Sequence, residues 1–320
     1  MKAIIYDGKL KYVKNYPAPL PGEGEALIRV LLAGICNTDL EIMKGYLGFQ
    51  GVMGHEFVGV VENVNNRNRR LIGKRVVGEI NCGCGVCGYC MKGLQKHCPD
   101  RKTIGILGKD GAFADYITLP ADNLLEAPDN ISDEEAVFAE PLAAAFEITE
   151  QLHIKPTDRI LVLGDGKLGI LASLALNLVQ ADVSLAGRHE NKLQVAREQH
   201  VKTIKFSDLE MTKQYDFVIE ATGSADGLEF ALQLVKPRGT IVLKTTVAYG
   251  KEMNLASVVI DEIQVVGSRC GPFEPVLRAM TRKLINVKPL ISAVYKPDRV
   301  SAAFKKAGSR EALKVLLDFR

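Results

Sequence analysis

The chain has 320 residues, with 41 Lys and Arg against 38 Asp and Glu for a formal charge of +3, and 47% of its residues are hydrophobic. That length and apolar content support two domains of ordinary size, each with its own core. The near balance of charge gives no ground for nucleic-acid or membrane association, and the seven cysteines, most at metal-ligand spacing, suit a reducing cytoplasm better than a disulfide framework.

The N-terminus, Met1-Lys-Ala-Ile-Ile-Tyr-Asp7, alternates like a strand and lacks the apolar core and cleavage site of a secretion signal. From there to about Asp122 short alternating segments are punctuated by glycine and proline, the pattern of a β-rich unit, with strands expected at Ala26 to Ala33, Phe57 to Val64, Arg75 to Ile80 and Ala112 to Thr118. The polar run Asn63 to Arg70 reads as a solvated loop. Just after the first of these strands comes Gly34-Ile-Cys-Asn-Thr-Asp39; Gly54 precedes His55 and Glu56, and Glu140 opens Glu-Pro-Leu142. A thiolate, an imidazole and a carboxylate would leave a fourth position on a zinc ion for water or substrate.

Between these segments Cys84, Cys87, Cys90 and Cys98 repeat a C-x-x-C-x-x-C unit and close it after a short excursion, on a loop bearing Gly83, Gly85, Gly88 and Gly93. Four convergent thiolates complete the tetrahedron of a closed, structural zinc site. Cys82 is read as a bystander. All four ligands fall within one loop, whereas nucleic-acid zinc ribbons divide theirs between separated knuckles.

Asp129 to Glu135 carries a helix-start signal, the apolar stretch Ala136 to Ile148 follows, and Lys155-Pro-Thr-Asp158 is the expected boundary turn. No apolar stretch approaches the roughly 20 residues needed to span a bilayer. Ile160 to Leu163 then runs as a buried strand into Gly164-Asp165-Gly166-Lys167-Leu168-Gly169, the G-x-G-x-x-G of a dinucleotide site, where a helix N-terminus faces the pyrophosphate. Further strands at Asp182 to Ala186, Thr203 to Phe206, Phe217 to Ala221, Thr240 to Leu243 and Gln264 to Gly267 alternate with helices, giving a doubly wound α/β sheet. NAD enzymes place an acidic residue at the tip of the second strand. Here that tip reads Gly187-Arg188-His189: Gly187 leaves space, and Arg188, with His189 or Lys192, offers positive charge suited to a 2′-phosphate, so NADP(H) is expected over NAD(H). Thr222, at the carboxyl edge of the sheet, and Gly267-Ser268, after the last strand, are expected along the cofactor. The chain should return to the first domain from about Pro272 and end on the strand Leu313 to Phe319.

Taken together, the Gly-x-Cys-x-Thr-Asp segment, Gly-His-Glu, the cysteine knot, Glu-Pro-Leu, the glycine loop and Glu220-Ala-Thr-Gly223, in that order, resemble the zinc-containing medium-chain dehydrogenases/reductases, the alcohol and polyol dehydrogenase family. The resemblance covers nearly the whole chain. It implies a GroES-like catalytic domain at 1–148 and 276–320 around a Rossmann domain at 149–275, with two zinc ions per chain, one catalytic and one structural. It also implies an alcohol or carbonyl substrate, and commonly a homodimer or homotetramer built on the edge strand of the Rossmann sheet. Glu140 at the third metal position resembles the polyol branch, and Glu56 is the other candidate for that ligand. Thr38 matches the family's proton-relay hydroxyl. Asp39 is a candidate acceptor orienting His55 or, equally, a helix cap, and Glu41 stands where many relatives have histidine. Tyr46, Phe49 and Phe273 are candidate pocket residues. Two other functions are consistent with parts of the pattern: a zinc-independent quinone or enoyl reductase on the same scaffold, and a non-catalytic zinc- and nucleotide-binding redox sensor.

Overall fold

The computed structural model describes residues 1–65, 69–247 and 251–320, so the expected loop from Asn63 to Arg70 lies partly outside the described residues. The chain divides into two compact units, one comprising 1–140, 280–282 and 291–320 and the other 141–279 and 283–290.

The first unit is built on a seven-stranded sheet. Its long central strand, Glu25–Ile35, alternates buried and half-buried positions up to Val30, then becomes nearly continuously buried where partners cover both faces. Glu56–Val64, Tyr116–Pro120 and Lys314–Asp318 all pair with it antiparallel, and the C-terminal strand in turn pairs in parallel with Ile291–Tyr295. This places the end of the chain beside Gly34-Ile35, directly before the first candidate ligand. A separate three-stranded sheet, Asn81–Cys82 with Lys102–Ile104 and Gly108–Lys109, brackets the cysteine loop at both ends. The helix-start signal at Ser132 forms a reciprocal cap, in which Glu135 N–H donates to Ser132 Oγ and Ser132 N–H to Glu135 Oε2.

The second unit holds a six-stranded sheet in the order Lys202–Lys205, Asp182–Gly187, Arg159–Leu163, Tyr215–Glu220, Val235–Leu243, Gln264–Gly267, all parallel. The strand order reverses between the first strand's two neighbours, so the carboxyl ends of Arg159–Leu163 and Tyr215–Glu220 border the crevice where such sheets take ligands. Two expected limits shift. The division falls at Glu140, within the continuous helix Ala139–Gln151, rather than at 148, because the apolar run continues through it without a break. The chain rejoins the first unit for good at Ile291 rather than 276, since most of the helix Phe273–Thr281 belongs to the second unit and buries Phe273 and Val276.

Candidate metal and dinucleotide sites

Cys36 stands at the end of the central strand and starts the short helix Asn37–Ile42. Glu56 opens the neighbouring strand, whose pairing sets it opposite Gly34, and His55 immediately precedes that strand. Together they bring a ligand atom from each of Cys36, His55 and Glu56 within 4.8 Å of one another. His55 is 3% and Glu56 0% exposed. Three buried polar atoms here have no hydrogen-bond partner: Asp39 Oδ1, His55 Nδ1 and Glu56 Oε1. Leaving such atoms unsatisfied in a protein interior is unfavourable, and a cation among them would remove the deficit. The pocket is also electrically negative. Burial alone would lower the His55 pKa, yet the charges of Asp39 and Cys36 hold it well above its ordinary value, which is the response of an anionic pocket that favours positive charge. The residues present therefore fit a zinc ion.

Asp39, fully buried, uses its two oxygens differently: Oδ2 accepts the Cys36 N–H at 2.8 Å and Oδ1 lies 3.6 Å from His55 Nδ1. It thus closes the first turn of the helix and faces the imidazole, with no hydrogen bond between carboxylate and ring. Thr38 Oγ1 is 3.7 Å from Cys36 Sγ. Glu41 is 7% exposed and accepts from Lys44 Nζ at 2.8 Å. Glu140, half-buried at the start of its helix, is outside the 4.8 Å group. Burial pushes its carboxyl up to about 7, His55 and Lys314 opposing and Glu56 and Glu79 adding to the rise. One residue of this centre escaped the sequence reading. Lys314, 0% exposed, makes an ion pair with Glu56 Oε2, and its signal was a lone cation inside the otherwise apolar strand Leu313 to Leu317.

The four cysteines of the loop likewise bring their sulfurs within 4.8 Å of one another. Cys87 N–H donates to Cys84 Sγ and Cys84 N–H to Cys98 Sγ, each at 3.4 Å. Hydrogen bonds from the backbone of Val86 and Cys87 lower the Cys84 thiol to about 7, whereas burial raises Cys90 to about 11. Donor N–H groups aimed at sulfur stabilise thiolates, the form that ligates zinc.

In the second unit the glycine loop joins the strand Arg159–Leu163 to the helix Lys167–Asn177, with Gly166 at its N-cap. Gly164 has φ +113°, and a side chain there would meet Ala221 O at 2.5 Å, while one at Gly169 would fall on Gly164 O; both positions therefore require glycine. Lys167 and Leu168 form the first turn, half-buried. Thr222 is fixed by Glu220, whose Oε1 accepts its N–H at 2.9 Å and its hydroxyl at 2.6 Å. Gly267 O accepts from Gln151 Nε2 at 3.2 Å, and Ser268 Oγ accepts from the buried Lys244 Nζ at 3.0 Å. Phe49 and Phe273 are buried, as core residues are.

The tip of the second strand corrects one expectation. Gly187 does not leave space: a side chain there would meet Asp165 Oδ2 at 2.5 Å and Cγ at 2.7 Å. The Asp165 carboxylate fills that volume and accepts the N–H groups of Arg188 and His189, each at 2.6 Å. The Arg188 guanidinium lies 4.8 Å from the Phe206 ring centroid.

The comparisons with known proteins agree with this architecture. The family described as "Alcohol dehydrogenase GroES-like domain" matches residues 22–129, and "Zinc-binding dehydrogenase" matches residues 168–287. The sorbitol dehydrogenase of Halalkalibacterium halodurans is 28% identical, covering 95% of this chain and 94% of its own length. An L-threonine 3-dehydrogenase of Streptomyces coelicolor is 29% identical over 100% of this chain and 99% of its own. Among solved structures, a short chain alcohol dehydrogenase of Escherichia coli complexed with NADH superposes with a TM-score of 0.90 at 27% identity, covering 100% of this chain and 99% of that one. A zinc-binding dehydrogenase of Sinorhizobium meliloti bound to NADP gives 0.88 at 26%, covering 99% and 98%. Among the described residues no helix is long and apolar enough to cross a membrane. The chain belongs to the zinc-containing medium-chain dehydrogenases/reductases, the zinc-dependent alcohol and polyol dehydrogenase family of oxidoreductases.

Proposed function

We propose that this chain transfers a hydride between NADP(H) and a small alcohol or polyol, or the corresponding carbonyl compound, as a cytoplasmic enzyme with one catalytic and one structural zinc. The observation that carries this reading is the buried, negative group of Cys36, His55 and Glu56 with its unpartnered polar atoms. Zinc held there supplies a Lewis acid for the substrate oxygen, easing hydride transfer at the neighbouring carbon.

Glu56 is favoured over Glu140 as the carboxylate ligand. Lys314 engages one Glu56 oxygen and leaves the other unpartnered, whereas Glu140 stands outside the group. Asp39 orients the His55 ring, and Thr38 holds the proton of the substrate hydroxyl. The four loop thiolates hold the structural ion. Arg188 pairs with the 2′-phosphate of NADP(H). Its place beside Phe206, with no acid at positions 187–189, supports that cofactor, and the names of the sorbitol and threonine dehydrogenases support a small hydroxylated substrate. A homodimer or homotetramer completes the reading. The edge strand Gln264–Gly267 and its preceding helix expose Val259, Ile260 and Val265, and light scattering of the purified protein gives the mass.

The test is a screen of the zinc-loaded protein against polyols, sugars and secondary alcohols with NADP and with NAD. NADP-linked oxidation of at least one class, lost in Cys36→Ala, supports the proposal. Binding of both zinc and cofactor without reduction of either nicotinamide on any class would instead favour a sensor.

A further inference from the structure

Gly187 ends the second strand of the parallel sheet outside the left-handed region, so its backbone can accept any residue. What forbids a side chain is Asp165, whose Cβ lies 2.4 Å and whose Oδ2 lies 2.5 Å from where a Cβ would stand. Asp165 comes from the loop between the first strand and its helix, is 6% exposed, and is surrounded by donors. Oδ2 accepts the Arg188 and His189 N–H groups at 2.6 Å, and Oδ1 lies 3.0 Å from His189 Nδ1. Lys192, 8% exposed, feels the same charge, which opposes the lowering of its pKa by burial. The carboxylate is thereby tied to the backbone of the strand tip. It occupies the volume that a side chain at the strand tip would need.

We propose that Asp165 is a positioning residue for cofactor selection: it excludes any acid from position 187 and, by anchoring the backbone of Arg188 and His189, presents the Arg188 guanidinium to a 2′-phosphate. The structure thereby couples two positions that sequence alone treats separately. Asp165 and Gly187 form a matched pair: with Asp at 165, no side chain, and so no acid, fits at 187. The inference rests on the NADP(H) reading for its second half. Its first half, steric exclusion, is independent of cofactor.

The test is a cycle of Gly187→Asp, Asp165→Gly and the double variant, with Asp165→Asn as the conservative replacement, in the full-length zinc-loaded protein. Thermal unfolding is measured without cofactor, and NADPH and NADH affinities by fluorescence titration. Gly187→Asp alone is expected to lower Tm by several degrees, as overpacking does, and to weaken both cofactors. The double variant is expected to recover Tm and to shift the NADPH to NADH affinity ratio toward NADH by roughly tenfold or more. Asp165→Gly should weaken NADPH by about tenfold and NADH little, while Asp165→Asn, which keeps the shape and an acceptor, stays within about threefold of wild type.

A Gly187→Asp protein as stable as wild type overturns the exclusion, as does a double variant no more stable than Gly187→Asp. Equal loss of both cofactors in Asp165→Gly overturns the selective role. If the wild type itself prefers NADH, the NADP(H) reading falls and takes the selective role with it, whereas the Tm cycle still decides the exclusion.

Discussion

Glu56 and Lys314, 258 positions apart, form an ion pair in which both side chains are fully buried. Sheet pairing creates the contact: Glu56 opposes Gly34 on one side of the central strand, and Leu316 opposes Gly34 on the other. The Phe138 ring, 5.6 Å from Lys314 Nζ, helps to accommodate the ammonium. Removing one partner of a buried pair leaves an uncompensated charge, which costs about 3–5 kcal/mol. In the zinc-free protein Lys314→Met should lose stability of that order in urea unfolding, and when loaded should retain zinc more weakly, while Lys314→Arg should be milder. A Lys314→Met protein within about 1 kcal/mol of wild type would mean that Glu56 has another partner.

Asp39 predicts a graded loss. Asp39→Asn keeps an acceptor for the Cys36 N–H and removes the charge facing His55, so the helix should persist while imidazole orientation suffers. Zinc affinity at the Cys36 site, measured by chelator competition, should fall by about 10- to 100-fold. An unchanged zinc affinity accompanied by lost helix stability would reduce Asp39 to its capping role.

Arg188→Ala should weaken NADP(H) by roughly tenfold to a hundredfold, the value of a well-formed charge-assisted contact, and leave NAD(H) nearly unchanged. Paired titrations measure both affinities. Equal weakening of the two cofactors would show that Arg188 does not read the 2′-phosphate.

Tyr16 gives a pH signature independent of metal and cofactor. Burial, and the Asp110 carboxylate that accepts its hydroxyl at 2.8 Å, push its pKa from 10.0 to about 12. The unfolded phenol loses its proton first, so between those two values the unfolded state binds fewer protons and stability falls as pH rises. Below 10.0 the contribution is fully present. Denaturation midpoints across this window, compared with Tyr16→Phe, should show a steeper decline in the wild type. Identical slopes would contradict the shift.

Local chemistry was readable and long-range contact was not. The cysteine spacing, the strand entering Gly164-Asp-Gly-Lys-Leu-Gly169 and the apolar strands of the second unit are contiguous patterns, and the structure contains the corresponding elements at those places. Lys314 beside Glu56, and Asp165 beneath Gly187, depend on which strands become neighbours, and no periodicity within a segment encodes that. Glycine at 187 shows the limit well. As a residue type it reads as open space, and only the fold reveals that a carboxylate from the preceding loop already occupies it.

The most direct measurement is zinc content and NADP-linked turnover followed together during mild chelation. The closed thiolate site should retain its ion, and the carboxylate-containing site with an open position should release first. Activity should therefore vanish while about half the metal and the folded circular dichroism signal remain, and added zinc should restore it. Turnover that survives loss of the first ion, or simultaneous release of both ions with unfolding, would contradict a catalytic zinc at Cys36, His55 and Glu56.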